Sequence, residues 1–428
     1  MRLHVKKTDR LQGEIVVPAS KSHTIRAVIL AALADGKSVL HNPLFSEDTK
    51  AAIGACTALG ADIEQKGSTL VVRGFGPHPR QPAGVLDMLN SGTSTNLLLG
   101  TVAALGIEAE ISGDSSLCSR PVTALADALT ALGCTVDFRD KQGYPPVKIS
   151  GKLKGGSVAI DASKSSQYIS SLLLACPLLD TDTSITVSNP SELPYIEMTL
   201  SWLDQQGIAY ERDGYSRFTV FGGQTYRPFE KSIPGDWSSA TFPICAAAVT
   251  SSDVVLKGID VNDVQGDKAV IEYLGDMGAE IEIRDDGIRI IGKGLVGKEL
   301  DINATPDALP ALAVVGCCAR GTTKLYNVAQ ARVKETDRIT VMARELKKMH
   351  ARVQELPDGL LIEGGPLTGA NVHGHSDHRV VMALSIAAMT ARGQTTIDTA
   401  EAVSVTYPHF IETMNTVGAS IKFTQEVQ

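Results

Sequence analysis

The sequence is poor in aromatic residues and has a deficit of basic charge. Phe, Trp and Tyr make up only 5% of its 428 residues, and 40 Lys and Arg face 48 Asp and Glu, a formal net charge of −8. This balance predicts repulsion of nucleic acid and of anionic membrane surfaces, and few aromatic rings remain for base stacking. An anionic substrate would therefore need a local cluster of basic groups. The length predicts two or three domains.

The cysteine pattern gives no support for a metal centre or a disulfide framework. Seven cysteines occur without a second CxxC or a His pair at zinc-ligand spacing. Their odd number and irregular spacing favour reduced thiols. The N-terminal MRLHVKKTDR has no apolar core typical of a signal peptide, and the longest apolar runs, such as 380–391, are too short to span a membrane. We expect a soluble cytoplasmic protein.

A six-fold internal repeat is the most informative feature of the chain. Tags of the form LGADIE, LGCTVD and MGAEIE recur, with looser copies QGIAYE, MHARVQ and VGASIK. Their second residues are Gly60, Gly133, Gly207, Gly278, His350 and Gly418, at intervals of 73, 74, 71, 72 and 68 residues. A Gly between a helix and a strand is common, but six at near-constant spacing indicate structural repeats.

Each repeat predicts the same elements. A polar turn opens an apolar, Ala-rich helix, a strand follows, and then come an amphipathic helix and a strand hairpin. Helices that are apolar all round are buried, whereas amphipathic helices are half exposed. Three repeats could thus enclose three buried helices within sheets and outer helices, and six repeats would form two α/β domains.

The chain ends predict a discontinuous domain. The sixth repeat lacks a closing strand, and the strand-like N-terminal segment LHVKK…GEIVVP precedes the first repeat and could complete it. We therefore expect residues 1–18 to join residues 234–428 in one domain, and residues 19–233 to form the other. The stretch FGGQTYRPFEKSIPGD is the expected crossover.

Polar residues recur where the apolar helices begin. They are Ser22, Gly92, Ser165, Ser238, Asp307 and Asp377, at intervals of 70, 73, 73, 69 and 70 residues. Helix N-termini attract anions through unpaired N–H groups. Taken singly, Lys21 would be a surface lysine and KETDR a capped helix start, but their equivalent positions favour a common site. If the two domains face each other, these helix starts would converge on one cleft suited to phosphate and carboxylate groups.

Several segments resemble the signatures of the 5-enolpyruvylshikimate-3-phosphate (EPSP) synthase family. They run in the family's order from about residue 12 to residue 410: ASKSHTIRA, LNSGT, SRPV, SSQY, NATPDA, RVKETDR and SDHR. RVKETDR followed by DHR is the most specific. The resemblance implies two inside-out α/β domains, each of three βαβαββ repeats with buried parallel helices.

The resemblance also implies a reaction without a metal or organic cofactor. The enolpyruvyl group of phosphoenolpyruvate would pass to the 5-hydroxyl of shikimate-3-phosphate by addition and elimination of phosphate, a step of chorismate and aromatic amino acid biosynthesis. A monomer would act on these two small molecules, with no nucleic acid or membrane partner.

The implied site residues fall into three groups. The catalytic residues would be Lys21, Asp307, Glu335 and His378. Phosphoenolpyruvate would be held by Lys21, Gly92, Thr93, Arg120, Gln167, Arg338 and Arg379. Shikimate-3-phosphate would be held by Ser22, Arg26, Ser165, Ser166, Gln167, Tyr195, Asp307, Gln330 and Lys334. Lys21 and Glu335 would handle the proton transfers, and Asp307 would hold or deprotonate the attacking hydroxyl.

Four positions depart from the family pattern. Asn96 replaces an Arg, Glu192 a Ser (with Ser191 beside it), Gln330 an Asn, and Val405 a Lys. Asn96 and Val405 remove two positive charges, so we expect weaker binding of phosphoenolpyruvate and of the family's inhibitor glyphosate. Val405→Lys should strengthen both, and unchanged binding would refute this expectation.

Three alternatives remain open from the sequence. The related transferase acting on UDP-N-acetylglucosamine carries a loop Cys where this chain has Ser115, and Cys118 is displaced from that position. A paralogous transferase could act on another cyclic alcohol, as Glu192 and Gln330 would allow. A non-catalytic ligand-binding relative would be expected to lose its proton-handling residues, which this chain keeps.

Overall fold

Two compact α/β units make up the computed structural model, which describes residues 1–424. One unit is Ala19–Ile233, called the continuous unit, and the other combines Met1–Pro18 with Pro234–Gln428, called the discontinuous unit. The helices of the continuous unit are α1 (Lys21–Leu33), α2 (Glu47–Ala58), α3 (Gly92–Leu105), α4 (Thr123–Ala131), α5 (Gln167–Ala175) and α6 (Leu193–Gln206). Those of the discontinuous unit are α7 (Trp237–Val249), α8 (Val270–Asp276), α9 (Leu309–Cys318), α10 (Arg338–Lys348), α11 (His378–Thr390) and α12 (Phe410–Thr416).

Each unit contains three sheets of four strands. In the continuous unit, the strands of the first sheet lie in the spatial order β14 (Glu230–Ser232), β3 (Asp35–His41), β5 (Thr69–Phe75), β4 (Asp62–Lys66). The second sheet has the order β6 (Leu86–Asp87), β7 (Ala109–Ser112), β9 (Val147–Ser150), β8 (Thr135–Phe138). The third has the order β10 (Gly156–Asp161), β11 (Thr183–Ser188), β13 (Arg217–Val220), β12 (Tyr210–Asp213). In the discontinuous unit, the strands of the first sheet lie in the spatial order β16 (Glu280–Arg284), β17 (Gly287–Ile291), β15 (Asp253–Lys257), β2 (Gln12–Val16). The second sheet has the order β18 (Glu299–Asp301), β19 (Thr322–Tyr326), β21 (Gly359–Glu363), β20 (Arg352–Leu356). The third has the order β22 (Asn371–Val372), β23 (Gln394–Ile397), β1 (Arg2–Lys6), β24 (Ser420–Thr424).

All six sheets follow one pattern. An edge strand pairs in parallel with its neighbour, as β10 does with β11, and the remaining pairs are antiparallel, as in β11–β13 and β13–β12. In four of the sheets a buried helix lies between the two parallel strands in sequence, whereas the edge strands β2 and β14 come from elsewhere in the chain. An amphipathic helix precedes the hairpin in five repeats and the single strand β24 in the sixth. The predicted α/β fold with three βαβαββ repeats in each domain is confirmed.

The N-terminal segment supplies strands to two repeats, not one. β1 lies between β23 and β24 and so closes the sixth repeat, as expected. β2 instead pairs in parallel with β15 and gives the fourth repeat its edge strand. The first repeat takes its edge strand from β14, inside the predicted crossover segment. The expectation that GEIVVP completes the sixth repeat was therefore wrong.

The first helix of each repeat is almost wholly buried. In α1 every residue except Ser22 is buried, and in α11 every residue except Thr390. Such helices need apolar residues on all faces, which explains the Ala-rich runs. By contrast, α10 buries Ile339, Val341, Met342 and Leu346 on one face and exposes its lysines on the other.

The repeat tag marks a left-handed residue after each second helix. The backbone φ angles at Gly60, Gly133, Gly207, Gly278, His350 and Gly418 are 116°, 103°, 71°, 101°, 64° and 106°. Positive φ is open to glycine without penalty, and Asn, Asp and His tolerate it better than most other residues. The recurrence of one residue type in the sequence therefore reflects a recurrent backbone conformation.

Two glycines of one exposed segment should respond oppositely to alanine. Gly278 has φ 101°, so Gly278→Ala should lower the free energy of unfolding by about 1–2 kcal/mol. Gly275 lies in α8 with open space around it, so Gly275→Ala should raise it by about 0.5–1 kcal/mol. Thermal unfolding followed by circular dichroism measures both. The same sign for both variants would contradict the conformational explanation.

Candidate active site

Lys21 begins α1 and forms an ion pair with a residue of α2. Its Nζ lies 3.0 Å from Oδ2 of Asp48, and both side chains are largely buried. Ser20 caps α1 by accepting a hydrogen bond from the backbone N–H of His23. The sequence did not single out Asp48, because a carboxylate in the first turn of a helix is typical of helix capping alone.

Arg26 is buried one turn further along α1, where neutral oxygens hold its guanidinium. Its Nε donates to Oγ1 of Thr199 at 2.9 Å, and its terminal nitrogens donate to Ser22 O and Tyr195 O at 3.2 and 3.3 Å. Burial lowers the pKa of Arg26 to about 10, which leaves it charged at neutral pH. A buried cation among neutral acceptors suits an anionic ligand.

A side-chain triangle joins the starts of α3 and α5. The Gln167 Nε2 donates to Thr93 Oγ1 at 2.9 Å, and Asn96 Nδ2 donates to Gln167 Oε1 at 3.1 Å and to Gly92 O at 3.0 Å. The structure thus brings together three predicted site residues. Asn96, which departs from the family pattern, fixes the orientation of the Gln167 amide.

The Asn96 bridge can be tested by mutation. If Gln167 holds phosphoenolpyruvate, as the family resemblance implies, Asn96→Ala should raise the KM for phosphoenolpyruvate about fivefold, because the Gln167 amide loses one hydrogen bond of about 1 kcal/mol and is free to rotate. A double-mutant cycle with Gln167→Ala measures the coupling between the two side chains. Additive effects in the double variant would show that Asn96 does not act through Gln167.

Arg120 lies just before α4 and contacts the turn that opens α3. Its two terminal nitrogens donate to Asn90 O at 3.0 Å, Asn90 Oδ1 at 2.7 Å and Ser116 Oγ at 3.0 Å. A Cβ added to Gly92 would lie 3.2 Å from Arg120 Nη1. A side chain at position 92 would therefore press on the guanidinium.

Glu192 and its neighbour Ser191 make different contacts. It is buried, with φ 51°, and its Oε2 accepts hydrogen bonds from Ser166 Oγ at 3.0 Å and Ser166 N at 3.4 Å. Ser191 instead donates to Ala162 O at 2.7 Å. Ser165 Oγ accepts from Gln167 N, the first residue of α5, at 3.2 Å. Ser191 therefore contacts the backbone just before α5.

In the discontinuous unit, Arg338 lies at the centre of a cluster of charges. It is fully buried and binds three carboxylates: Nε to Asp377 Oδ2 at 2.8 Å, Nη1 to Asp307 Oδ1 at 2.7 Å and Nη2 to Glu335 Oε2 at 2.5 Å. Although burial alone would lower the pKa of Arg338, these carboxylates hold it above its ordinary value. The side chain is a permanent cation.

Asp307 bridges two arginines. Its second oxygen lies 2.9 Å from Arg379 Nη2, which also donates to Ser238 Oγ at 2.6 Å, and Arg379 contacts the His378 ring. Burial alone would raise the pKa of Asp307, but Arg379, Arg338 and Lys334 hold it well below its usual range. Asp307 is thus an anion placed to accept hydrogen bonds.

Four further positions from the sequence analysis lie in the discontinuous unit. Lys334 and Glu335 were expected at the start of the second helix, but α10 begins only at Arg338, where Asp337 caps it by accepting from Thr340 N at 3.0 Å. Gln330 is buried and donates to Asn303 O at 3.1 Å. Val405 is partly buried at the end of the 3-10 helix Ala400–Val405.

The sequence missed the residues that orient the predicted ones. Asp377 stood out in the sequence only as a turn position, yet it binds Arg338 through both oxygens and accepts from Arg379 N at 2.9 Å. Within residues 1–424, no group of three or more His, Cys, Asp or Glu side chains is placed to hold a metal ion.

Comparison with known proteins agrees with the repeats and the motifs. A model of the family described as EPSP synthase (3-phosphoshikimate 1-carboxyvinyltransferase) matches residues 5–414. The chain belongs to the EPSP synthase family. A 3-phosphoshikimate 1-carboxyvinyltransferase of Acetivibrio thermocellus is 48% identical over 98% of this chain and 99% of the relative. One of Ruminiclostridium cellulolyticum is 47% identical over 99% and 100%.

A solved structure from the EPSP synthase family shows the same fold. The EPSP synthase of Acinetobacter baumannii is 32% identical and superposes with a TM-score of 0.84, covering 99% of this chain and all of that one. All seven cysteines are free thiols. Across the described residues, we find no helix with the length and apolar character to cross a membrane.

Proposed function

We propose that this chain is a 3-phosphoshikimate 1-carboxyvinyltransferase. It transfers the enolpyruvyl group of phosphoenolpyruvate to the 5-hydroxyl of shikimate-3-phosphate and releases phosphate, a step of chorismate and aromatic amino acid biosynthesis. The observation that carries the proposal is the buried cluster of Arg338, Asp307 and Arg379, formed by motifs of a family that matches residues 5–414. We further propose that the enzyme acts in the cytoplasm and as a monomer. Light scattering of the purified protein would test the monomeric state.

The discontinuous unit supplies cations for phosphoenolpyruvate. Arg338 and Arg379 are held in fixed positions by Asp307, and a planar guanidinium binds a carboxylate or phosphate through two parallel hydrogen bonds. Positions fixed in advance lower the cost of reorganisation when charge develops on the departing phosphate. Lys21, Arg120 and the Thr93–Gln167 pair, with Gly92 beside Arg120, are the other residues proposed to contact phosphoenolpyruvate.

The continuous unit also supplies groups for shikimate-3-phosphate. Arg26 is a buried cation among neutral oxygens, and it lies beside the backbone of Ser22 and Tyr195. Ser165 and Ser166 open α5 with hydroxyl groups, which suit a phosphate oxygen. Lys334 and Gln330 are also proposed for this substrate. Each position except Gln330, which departs from the family pattern, corresponds to a motif shared with the family.

The chemistry requires a proton to be added and later removed. The acceptor hydroxyl adds to C2 of phosphoenolpyruvate while C3 gains a proton, and the tetrahedral intermediate then loses phosphate and a proton from C3. Glu335 and Lys21 would deliver and remove these protons. Asp307 would orient the hydroxyl, because its depressed pKa keeps it ionised and able to accept a hydrogen bond but makes it a weak base. His378, at the start of α11, would lie near the reacting carbon.

Phosphate release from the purified protein tests the proposal. Release should require both phosphoenolpyruvate and shikimate-3-phosphate, and unphosphorylated shikimate should be a much poorer acceptor because Arg26 and the serine hydroxyls would lack their anion. Folded protein that binds phosphoenolpyruvate but releases no phosphate with shikimate-3-phosphate would refute the proposed acceptor.

A further inference from the structure

A second buried carboxylate lies in α10, two helical turns after Arg338. Glu345 is fully buried, and its Oε2 accepts hydrogen bonds from Lys348 Nζ at 2.6 Å and from the backbone N–H of His373 at 2.9 Å. Its Oε1 lies 3.1 Å from His375 Nε2 and 3.2 Å from Arg344 Nε. Burial alone would raise the pKa of Glu345, but these hydrogen bonds lower it to about 2. Glu345 is therefore an anion that accepts hydrogen bonds from Arg344, Lys348 and the backbone N–H of His373.

The segment that Glu345 contacts is strained. Residues 373–376 connect β22 to α11, and His375 and Ser376 have φ angles of 56° and 54°. Two consecutive non-glycine residues in the left-handed region cost about 1–2 kcal/mol each. Gly374 is equally constrained, because an added Cβ would lie 2.4 Å from Val381 Cγ2 and 2.6 Å from Asp398 O. The surrounding contacts must hold this conformation.

Asp398 and Thr399, which follow β23, bind the segment from its other side. The backbone N–H of Gly374 donates to Asp398 Oδ1 at 3.0 Å, and Asp398 also contacts the His373 ring. The backbone N–H of Ser376 donates to Thr399 Oγ1 at 3.0 Å. We call Glu345, Asp398 and Thr399, together with segment 373–376, the α11 clamp. Its side chains satisfy the N–H groups of His373, Gly374 and Ser376.

The clamp leads directly into the charge cluster around Arg338. Asp377 N donates to Gly374 O at 3.0 Å, and Asp377 both caps α11 and binds Arg338. Glu345 and Arg338 lie on the same helix, seven residues or about 10 Å apart. The segment before α11 is thus fixed to α10 at two points, directly before His378 and Arg379.

We propose that Glu345 is a positioning residue for the reaction. Through the clamp it holds the start of α11 so that Arg379 reaches Asp307 and His378 keeps its place. Glu345 itself would touch neither substrate. The inference rests on the proposed function, because it assigns Arg379 to phosphoenolpyruvate and Arg26 with the α5 serines to shikimate-3-phosphate. It predicts that loss of Glu345 affects binding of one substrate and not the other.

Glu345→Gln tests the proposal with the smallest change in shape. The amide can still accept from His373 N but presents an NH₂ group to one of the cations or to His375. The KM for phosphoenolpyruvate should rise about tenfold, since a misplacement of about 1 Å can cost up to 100-fold. The KM for shikimate-3-phosphate should stay within threefold of wild type. Lys348→Met is the matched control: it removes a partly exposed donor to Glu345 without touching segment 373–376 and should leave both KM values unchanged.

Hydrogen exchange provides a readout that does not depend on activity. In Glu345→Gln, the amides of Gly374, Ser376 and Asp377 should exchange faster than in wild type, whereas those of α9 should not. If Glu345→Gln does not fold, Thr399→Ala removes one acceptor from the clamp and should raise the phosphoenolpyruvate KM about threefold. Unchanged exchange, or an unchanged phosphoenolpyruvate KM in the folded variant, would overturn the proposal.

The outcome also separates this inference from the proposed function. Absence of turnover by the wild-type protein would refute the proposed function, whereas the hydrogen-exchange data would still test the α11 clamp. If the wild-type protein turns over and Glu345→Gln keeps the wild-type KM for phosphoenolpyruvate, only the positioning role of Glu345 is refuted. An equal rise in both KM values would indicate a general structural role and would contradict positioning through α11.

Discussion

Glu335→Gln should lower turnover by about 10²–10⁴ while phosphoenolpyruvate binding changes only a few-fold. The amide has the shape of the carboxylate and can still accept the hydrogen bond from Arg338, whose Nη2 lies 2.5 Å from Glu335 Oε2. It cannot carry a proton, and general acid–base groups contribute rate factors of this size. Phosphate release under saturating substrates measures turnover, and calorimetry measures binding.

A neighbouring acid provides the matched control for Glu335→Gln. Asp337→Asn makes the same acid-to-amide change two residues away, where the side chain caps α10, and an amide oxygen can still accept from Thr340 N. Turnover in Asp337→Asn should stay within about threefold of wild type. Turnover in Glu335→Gln above a third of the wild-type value would rule out Glu335 as an obligatory proton carrier.

Arg338→Met should destabilise the protein by about 3–5 kcal/mol and abolish turnover. Arg338 is fully buried and compensates Asp307, Glu335 and Asp377, so its removal leaves buried carboxylates without their central cation. Arg352→Met, which breaks an exposed ion pair with Glu363 at 2.8 Å, should cost no more than about 1 kcal/mol. Thermal unfolding of both variants beside wild type provides the comparison.

The stability of Arg338→Met should also depend on pH in a defined direction. In wild type the depressed pKa of Asp307 adds stability above the unfolded value of about 3.9, and this contribution is lost as the pH falls through the lower folded value. Without Arg338 the carboxylate pKa values rise, so protonation should restore stability as the pH falls from 7 towards 5. The deficit relative to wild type should therefore shrink. A constant deficit over this range would contradict the ion-pair explanation.

The repeats were predictable because a backbone requirement left its mark on residue type. Five of the six tag positions are glycines with positive φ, and the buried helices need apolar residues on every face. The assignment of β2 was not predictable. β1 and β2 are strand-like segments separated by five residues, and each pairs with strands more than 200 residues away. Local sequence carries no signal for that choice.

The site was likewise predictable in part from the sequence. Motif residues such as Asp307, Arg338 and Arg379 were identified from the sequence, and the structure brings these three into contact. The residues that orient them were missed, because a carboxylate such as Glu345 in an amphipathic helix is typical of a solvated face. Its partner segment begins 28 residues later, and only the folded chain shows that the two meet.

A turnover experiment in deuterium oxide tests the central claim most directly. Addition followed by elimination passes through an intermediate in which C3 of the enolpyruvyl group is a methyl group, so one of three hydrogens is removed in the second step. The account predicts that phosphate release needs both substrates and that the enolpyruvyl product gains deuterium at C3, as mass spectrometry would show. Release of phosphate with a product free of deuterium would contradict addition–elimination, and no product from the two substrates would contradict the assigned transferase activity.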